Sequence, residues 1–227
     1  MEVLSVTAST LQLLREKIIT GELKPGQKLN ESALSLQLGI SRPPLREAFR
    51  LMEKDHLVVN IPRRGTYVTE LSVKDFVEVS QIREMIECYT LDLLEASGTR
   101  DLPDVAAALD EALRLPLPLP LNPGDPDRLA DHIRVLLNFH ARLVESSGNA
   151  LLTHMYGSIS ANLARYQFIY FFLNGTAERS LADHERTLEL IRAGRYDQAM
   201  QELKRHIRYA AELVKNRISQ PALSRAG

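Results

Sequence analysis

Three arginines, Arg42, Arg46 and Arg50, recur every four residues, and two more, Arg63 and Arg64, stand side by side further along. A guanidinium is planar and always charged. Its paired N–H donors can grip a phosphate, or the major-groove edge of guanine, with two bonds at once. On a helix, residues four apart share one face, so Arg42, Arg46 and Arg50 form a single stripe. That chemistry suits the reading of DNA. The plain alternative is an arginine-rich solvated helix in an ordinary bundle.

The elements that would carry the stripe can be read around it. In the stretch Asn30 to Arg50, Ala33, Leu34 and Leu38 predict a short amphipathic helix with Asn30 as its N-cap. Gly39 stops it, and Ser41 is placed to cap a second helix. Pro43 and Pro44 fall in the first turn of that helix, where missing N–H groups cost little. Leu45, Ala48, Phe49 and Met52 recur at helical spacing and should face a core. A helix-turn-helix offers the start of its second helix to base edges. The DNA-facing set is therefore Ser41, Arg42, Pro43, Arg46 and Arg50. Upstream, Leu11, Leu14, Ile18 and Ile19 predict a helix ending near Gly21, followed by a Pro25-Gly26 turn. Downstream, Leu57-Val58-Val59 and Thr66-Tyr67-Val68-Thr69 predict a two-stranded hairpin whose tip carries Arg63, Arg64 and Gly65. Three helices and a basic hairpin make a winged helix-turn-helix. Arg63 and Arg64 can reach phosphate or the minor groove, and Gly65 permits close backbone approach.

With a net charge of −1, the chain holds any nucleic-acid surface as a local patch. Its single cysteine, Cys88, allows no intrachain disulfide and fits a reducing, cytoplasmic setting. The start of the chain lacks a secretory pattern, and the longest apolar run, Phe168 to Leu173, falls far short of the roughly 20 residues of a membrane helix. From Ser72 onward the pattern is helical. Ser72 caps a helix carrying Phe76, Val79, Ile82, Met85, Ile86, Tyr89 and Leu93. Further helices are expected over 101–113, 128–145, 149–173, 180–193 and 196–216. The segment from Pro116 to Pro126 is expected to be a proline-rich loop, and the chain after Ser219 a disordered tail. The expected fold is mainly α. A winged helix-turn-helix spans 1–70, an all-helical bundle spans 71–220, and a tail spans 221–227.

The motifs carry a family resemblance. The run ITGELKPGQKLNESALSLQLGISRPPLREAFRLMEKDHLVVNIPRRGTYV resembles the DNA-binding domain of GntR-type bacterial transcription regulators, through G-x-L-x-PG-x-x-L, SR-x-P-x-RE-A and RRG-x-x-V. The resemblance implies that Arg42, Arg46 and the Arg64-Gly65 wing tip contact DNA, and that the protein binds a palindromic operator as a homodimer. This sequence departs at Pro43, where a small polar residue is usual, and at Ser32, where some members carry arginine.

The remainder resembles the FCD ligand-binding domain of the FadR subfamily, through IREMIE, FHARLVESSGN, DHERTLELIRAGRYDQA and KRHI. That resemblance implies a buried pocket with a divalent metal, zinc or nickel foremost, held by His140, His184 and His206. An aspartate four residues before the first of these is usual in the family, and Leu136 stands there instead. Three neutral imidazoles remain a sound set for a borderline ion. Spacing alone does not group these histidines, since none of them are four apart on one helix. His56, His132 and His154 match no role. Arg83 and Arg165 match pocket arginines that would hold a small carboxylate effector; a salt bridge to Glu84, Glu87 or a neighbouring helix is the alternative. Asn149 either donates to the ligand or caps the helix after it. The implied function is a transcriptional regulator whose DNA binding is set by a small carboxylate; repression is the usual pattern of the family, and the sequence does not decide between repressor and activator. The rivals are a constitutive DNA-binding regulator with a vestigial pocket, and a metal-dependent enzyme. Against the enzyme, the sequence has no HExxH motif and no carboxylate placed by motif as a base.

Overall fold

The computed structural model describes residues 5–116, 126–171 and 176–218, with the backbone alone at 126–130 and 168–171. The chain divides into two compact units, Met1–Leu71 and Ser72–Gly227.

The first unit runs α1 (Val6–Ile19), β1 (Lys28–Leu29), α2 (Glu31–Leu38), α3 (Arg42–Lys54), β2 (Val58–Ile61) and β3 (Gly65–Val68). Asn30 caps α2, its Oδ1 accepting from the backbone N–H groups of Ser32 and Ala33. Gly39 ends that helix at φ 65°, a left-handed turn that glycine adopts without steric cost. Ser41 stands at the N-cap of α3 in extended conformation, yet its hydroxyl makes no capping hydrogen bond. The expected Ser41 cap is therefore corrected, and the reason is local. An N-cap side chain accepts from the second or third N–H of its helix, and here those positions are Pro43 and Pro44, which have none. Leu45, Ala48, Phe49 and Met52 are all buried, as their spacing predicted. Leu45 is fully enclosed, so cutting it to alanine costs about 2–5 kcal/mol.

The hairpin pairs Val58 with Val68 and Ile61 with Gly65 in antiparallel register. A third strand, β1, pairs with the other side of β3, Lys28 facing Tyr67 and Leu29 facing Thr66. Sequence reading missed it because two residues cannot display an alternating pattern. At the hairpin tip Arg63 is left-handed at φ 65° and Gly65 at φ 106°.

The described residues of the second unit form six helices, α4 (Val73–Ser97), α5 (Pro103–Leu113), α6 (Pro126–Glu145), α7 (Ala150–Phe171), α8 (Thr176–Arg192) and α9 (Tyr196–Ile218), and no strand. Helix α4 packs along α9, α5 along α6, α6 along α7, and α8 along α9. Ser72 caps α4 through the Asp75 N–H at 3.0 Å, as expected. Near its start Phe76 meets Tyr166 of α7, with ring centroids 4.6 Å apart. The face of α4 turned inward is unusual. Ile82, Met85 and Tyr89 stand exposed, while Arg83, Glu87 and Thr90 are buried beside Ile86. Burying a charged pair in place of available apolar side chains is costly, so the pair marks a polar centre inside the bundle. Residues 117–125 of the expected proline loop, the end of the apolar run Phe168–Leu173, and the expected tail at 221–227 lie outside the described residues. Among the described residues, no helix is long and apolar enough to cross a membrane.

Candidate functional site

Five helices meet at the polar centre. His140 comes from α6, His184 from α8 and His206 from α9, and all three are buried. One ring nitrogen of each lies within 4.8 Å of the others. His184 Nε2 is 3.3 Å from His206 Nε2. Phe139, the neighbour of His140, stacks on the His184 ring at 4.1 Å and 5° between planes, which fixes that imidazole's tilt. The structure thus brings together three residues that the sequence separates by 44 and 22 positions.

Two carboxylates stand behind the imidazoles. Glu87 Oε2 lies 2.9 Å from His140 Nδ1, and Asp183 Oδ2 lies 3.4 Å from His206 Nδ1. An ionised carboxylate only accepts, so each Nδ1 carries the proton and each Nε2 keeps a lone pair aimed at the cluster. Glu87 is itself fully enclosed. It accepts from Arg83 Nε at 2.8 Å and from the Tyr156 hydroxyl at 3.2 Å. Asp183 is tied to Arg205 Nη2 at 3.2 Å.

These contacts set the charges. Burial pushes the Glu87 carboxyl up, but Arg83 and His140 outweigh it and hold the pKa at about 2. Burial, helped by the Arg83 cation and opposed by Glu87, drops His140 to about 4. Burial and the neighbouring His140, His206 and Arg83 push His184 well below the ordinary histidine range. Burial also lowers His206, against the pull of its Asp183 hydrogen bond. Three imidazoles are therefore neutral at physiological pH, the form that ligates metals.

The donor set fits a divalent metal. Zinc–nitrogen bonds of roughly 2.0–2.1 Å in tetrahedral array separate ligand nitrogens by about 3.4 Å, close to the 3.3 Å between His184 and His206. His184 Nδ1 is buried without a hydrogen-bond partner among the described residues. Leu136, one turn before His140 on α6, is buried and offers no ligand atom. One feature runs against occupancy. Arg83 Nη2 lies 2.6 Å from His140 Nε2, the nitrogen a metal would take.

The other expected residues fall as follows. Arg83 makes the salt bridge to Glu87 that stood as the alternative to effector binding, while Glu84 pairs with Arg208 instead. Arg165 is buried on α7. Asn149 is exposed and caps α7, its Oδ1 accepting from the Leu152 N–H at 3.1 Å. His56 and His154 are exposed and His132 is buried. In the first unit Ser41, Arg42, Pro43, Arg46, Arg50, Arg63 and Arg64 are all exposed, with Gly65 partly covered. Arg46 forms an ion pair with Glu31 of α2, and Arg50 one with Glu47 at 3.4 Å. Sequence reading assigned no site role to Glu87, Tyr156, Phe139 or Asp183. Two signals were present: Glu87 follows Arg83 by one helical turn, and Asp183 directly precedes His184.

Comparison with known proteins agrees with this two-part organisation. Residues 7–68 match the bacterial regulatory proteins of the gntR family, and residues 78–209 match the FCD domain. The chain is 28% identical over 204 residues to the HTH-type transcriptional regulator YdhC of Bacillus subtilis, covering 89% of this chain and 88% of that one. It is 23% identical over 176 residues to the gluconate operon transcriptional repressor of Bacillus licheniformis, covering 78% and 68%. Among solved structures, a GntR transcriptional regulator from Rhodococcus sp. RHA1 superposes with a TM-score of 0.71 at 24% identity, over 92% of this chain and 96% of that one. McbR/YncC of E. coli does so at 0.73 and 19%, over 96% and 100%.

Proposed function

This chain belongs to the gntR family of bacterial regulatory proteins and carries an FCD domain, and on that premise we propose that it is a ligand-tuned repressor. It is a DNA-binding transcriptional regulator, and its relatives are transcriptional regulators rather than enzymes. In our reading, residues 1–70 bind a palindromic operator as one half of a homodimer, and residues 71–220 hold the effector and the dimer contact. Ser41, Arg42, Pro43, Arg46 and Arg50 face the major groove. Arg63, Arg64 and Gly65 form a wing against the backbone or minor groove.

The buried cluster of His140, His184 and His206 carries the effector reading. The histidines would hold a divalent ion, zinc or nickel, which supplies Lewis acidity and positive charge for an anionic ligand. Glu87 and Asp183 fix the ring tautomers. The buried guanidinium of Arg165, and that of Arg83 once it gives up His140, would offer charge-assisted hydrogen bonds to a small carboxylate. A ligand that prefers one arrangement of the helices shifts DNA affinity by its differential binding to the two states. Asn149 stays a helix cap in this scheme.

The test is elemental analysis of the purified protein beside the His140→Ala, His184→Ala, His206→Ala triple variant, followed by operator binding with and without small carboxylates. About one zinc or nickel per chain, lost in the variant, together with acid-induced release of DNA, supports the scheme. A metal-free protein whose DNA binding ignores every acid supports a constitutive regulator with a vestigial pocket.

A further inference from the structure

We propose that Arg83 is the resident cation of the three-histidine cluster, and that its guanidinium and a metal ion compete for one lone pair, that of His140 Nε2. The inference rests on reading His140, His184 and His206 as metal ligands, and it concerns what this chain places in their way.

A guanidinium has donors only. At 2.6 Å from His140 Nε2, Arg83 Nη2 must donate into that nitrogen's lone pair. The opposite ring nitrogen, Nδ1, is committed to Glu87 at 2.9 Å. Both edges of the His140 ring are thus taken, and a metal can reach Nε2 only after the guanidinium leaves it. The side chain is not a casual visitor. Arg83 is 2% exposed and Glu87 0%. The Nε–H of Arg83 donates to Glu87 Oε1 at 2.8 Å, so one carboxylate holds both arginine and histidine in place.

Charge forces the same conclusion. A divalent ion on His140 beside an unmoved Arg83 would set like charges a few ångströms apart in a desolvated site, where repulsion is weakly screened. Neutralising both would take a further carboxylate. Among the described residues, Glu87 is already shared among Arg83, His140 and Tyr156, and Asp183 among His206, Arg205 and Arg179. The position one turn before His140, on the same side of α6, holds Leu136, which brings no charge. Arg83 supplies the positive charge that Glu87 needs when no metal is present, and it is the group a metal has to displace.

The test is zinc affinity by competition with a chromophoric chelator on the full chain, wild type against Arg83→Gln. The variant should bind zinc about tenfold tighter or more, in the range by which neighbours of metal ligands tune affinity. Equal affinity overturns the proposal and leaves the three-histidine reading standing. No zinc in either protein removes both. Because Arg83→Gln strips Glu87 of its cation, a second measurement uses the unaltered protein. During a zinc titration followed by nitrogen-15 NMR, the Arg83 Nε–H resonance should move together with the ring nitrogens of His184 and His206. An Arg83 resonance that stays fixed while those ring signals shift overturns the competition.

Discussion

His184 Nε2 stands 3.3 Å from His206 Nε2, with the Phe139 ring stacked on one imidazole and the Asp183 carboxylate behind the other. Two neutral rings held this close share one proton at most between facing lone pairs, and a single ion between them satisfies both. His184→Ala should therefore abolish metal retention after dialysis, read by plasma mass spectrometry. A folded variant with its full metal content would remove His184 from the site.

Asp183→Asn tests the carboxylate behind the cluster. Asp183 accepts from His206 Nδ1 and keeps that ring's Nε2 free for ligation. An amide can present its NH2 instead and permit the wrong tautomer. Zinc affinity should fall by roughly 10–100-fold, with helicity by circular dichroism unchanged. Unaltered affinity would mean that His206 does not depend on Asp183 for its orientation.

Acid should destabilise the metal-free protein in a defined window. His140 titrates near 4 in the fold against 6.5 when unfolded, and burial lowers His184 and His206 in the same direction. Between those values the unfolded chain takes protons that the folded one refuses, so stability falls as pH falls. Glu87 extends the trend with the same sign. Its folded value of about 2 lies below 4.5, so its contribution is present above 4.5 and is lost as pH drops toward 2. Thermal midpoints of chelator-treated protein should decline from pH 6.5 toward 4, and His184→Gln should flatten part of that decline. A midpoint constant across this range in the wild type would refute the assigned shifts.

Much of the first unit was legible because its signals are local. Asn30, Gly39 and the Leu45-Ala48-Phe49-Met52 stripe each act within a few residues, and each appears where the pattern put it. Ser41 failed as a cap for an equally local reason, the two prolines that follow it. The histidine cluster was legible only through family resemblance, since α6, α8 and α9 bring it together from distant parts of the chain. Of its supporting shell only the Arg83–Glu87 pair was legible, as one of several salt bridges open to Arg83. A helix that exposes Met85 and Tyr89 while burying Arg83 and Glu87 contradicts the hydrophobic pattern, and only the packed bundle shows which face points inward.

The DNA-facing arginines should separate by function. Arg46 is 63% exposed on α3 and is steadied by Glu31 of the preceding helix, so it projects from a rigid element. Arg64 sits exposed on the hairpin tip beside Gly65, which holds a positive φ of 106°. Arg46→Ala should cost about 1–3 kcal/mol on an operator selected from random duplexes and relax the preference at one base pair of each half-site. Arg64→Ala should weaken binding evenly across sequences and reduce the slope of log affinity against log salt by about one per chain. Fluorescence anisotropy on matched and mismatched duplexes at several salt concentrations distinguishes the two. A loss of sequence preference in the Arg64 variant, with none in the Arg46 variant, would exchange their roles and place the wing, not α3, at the base edges.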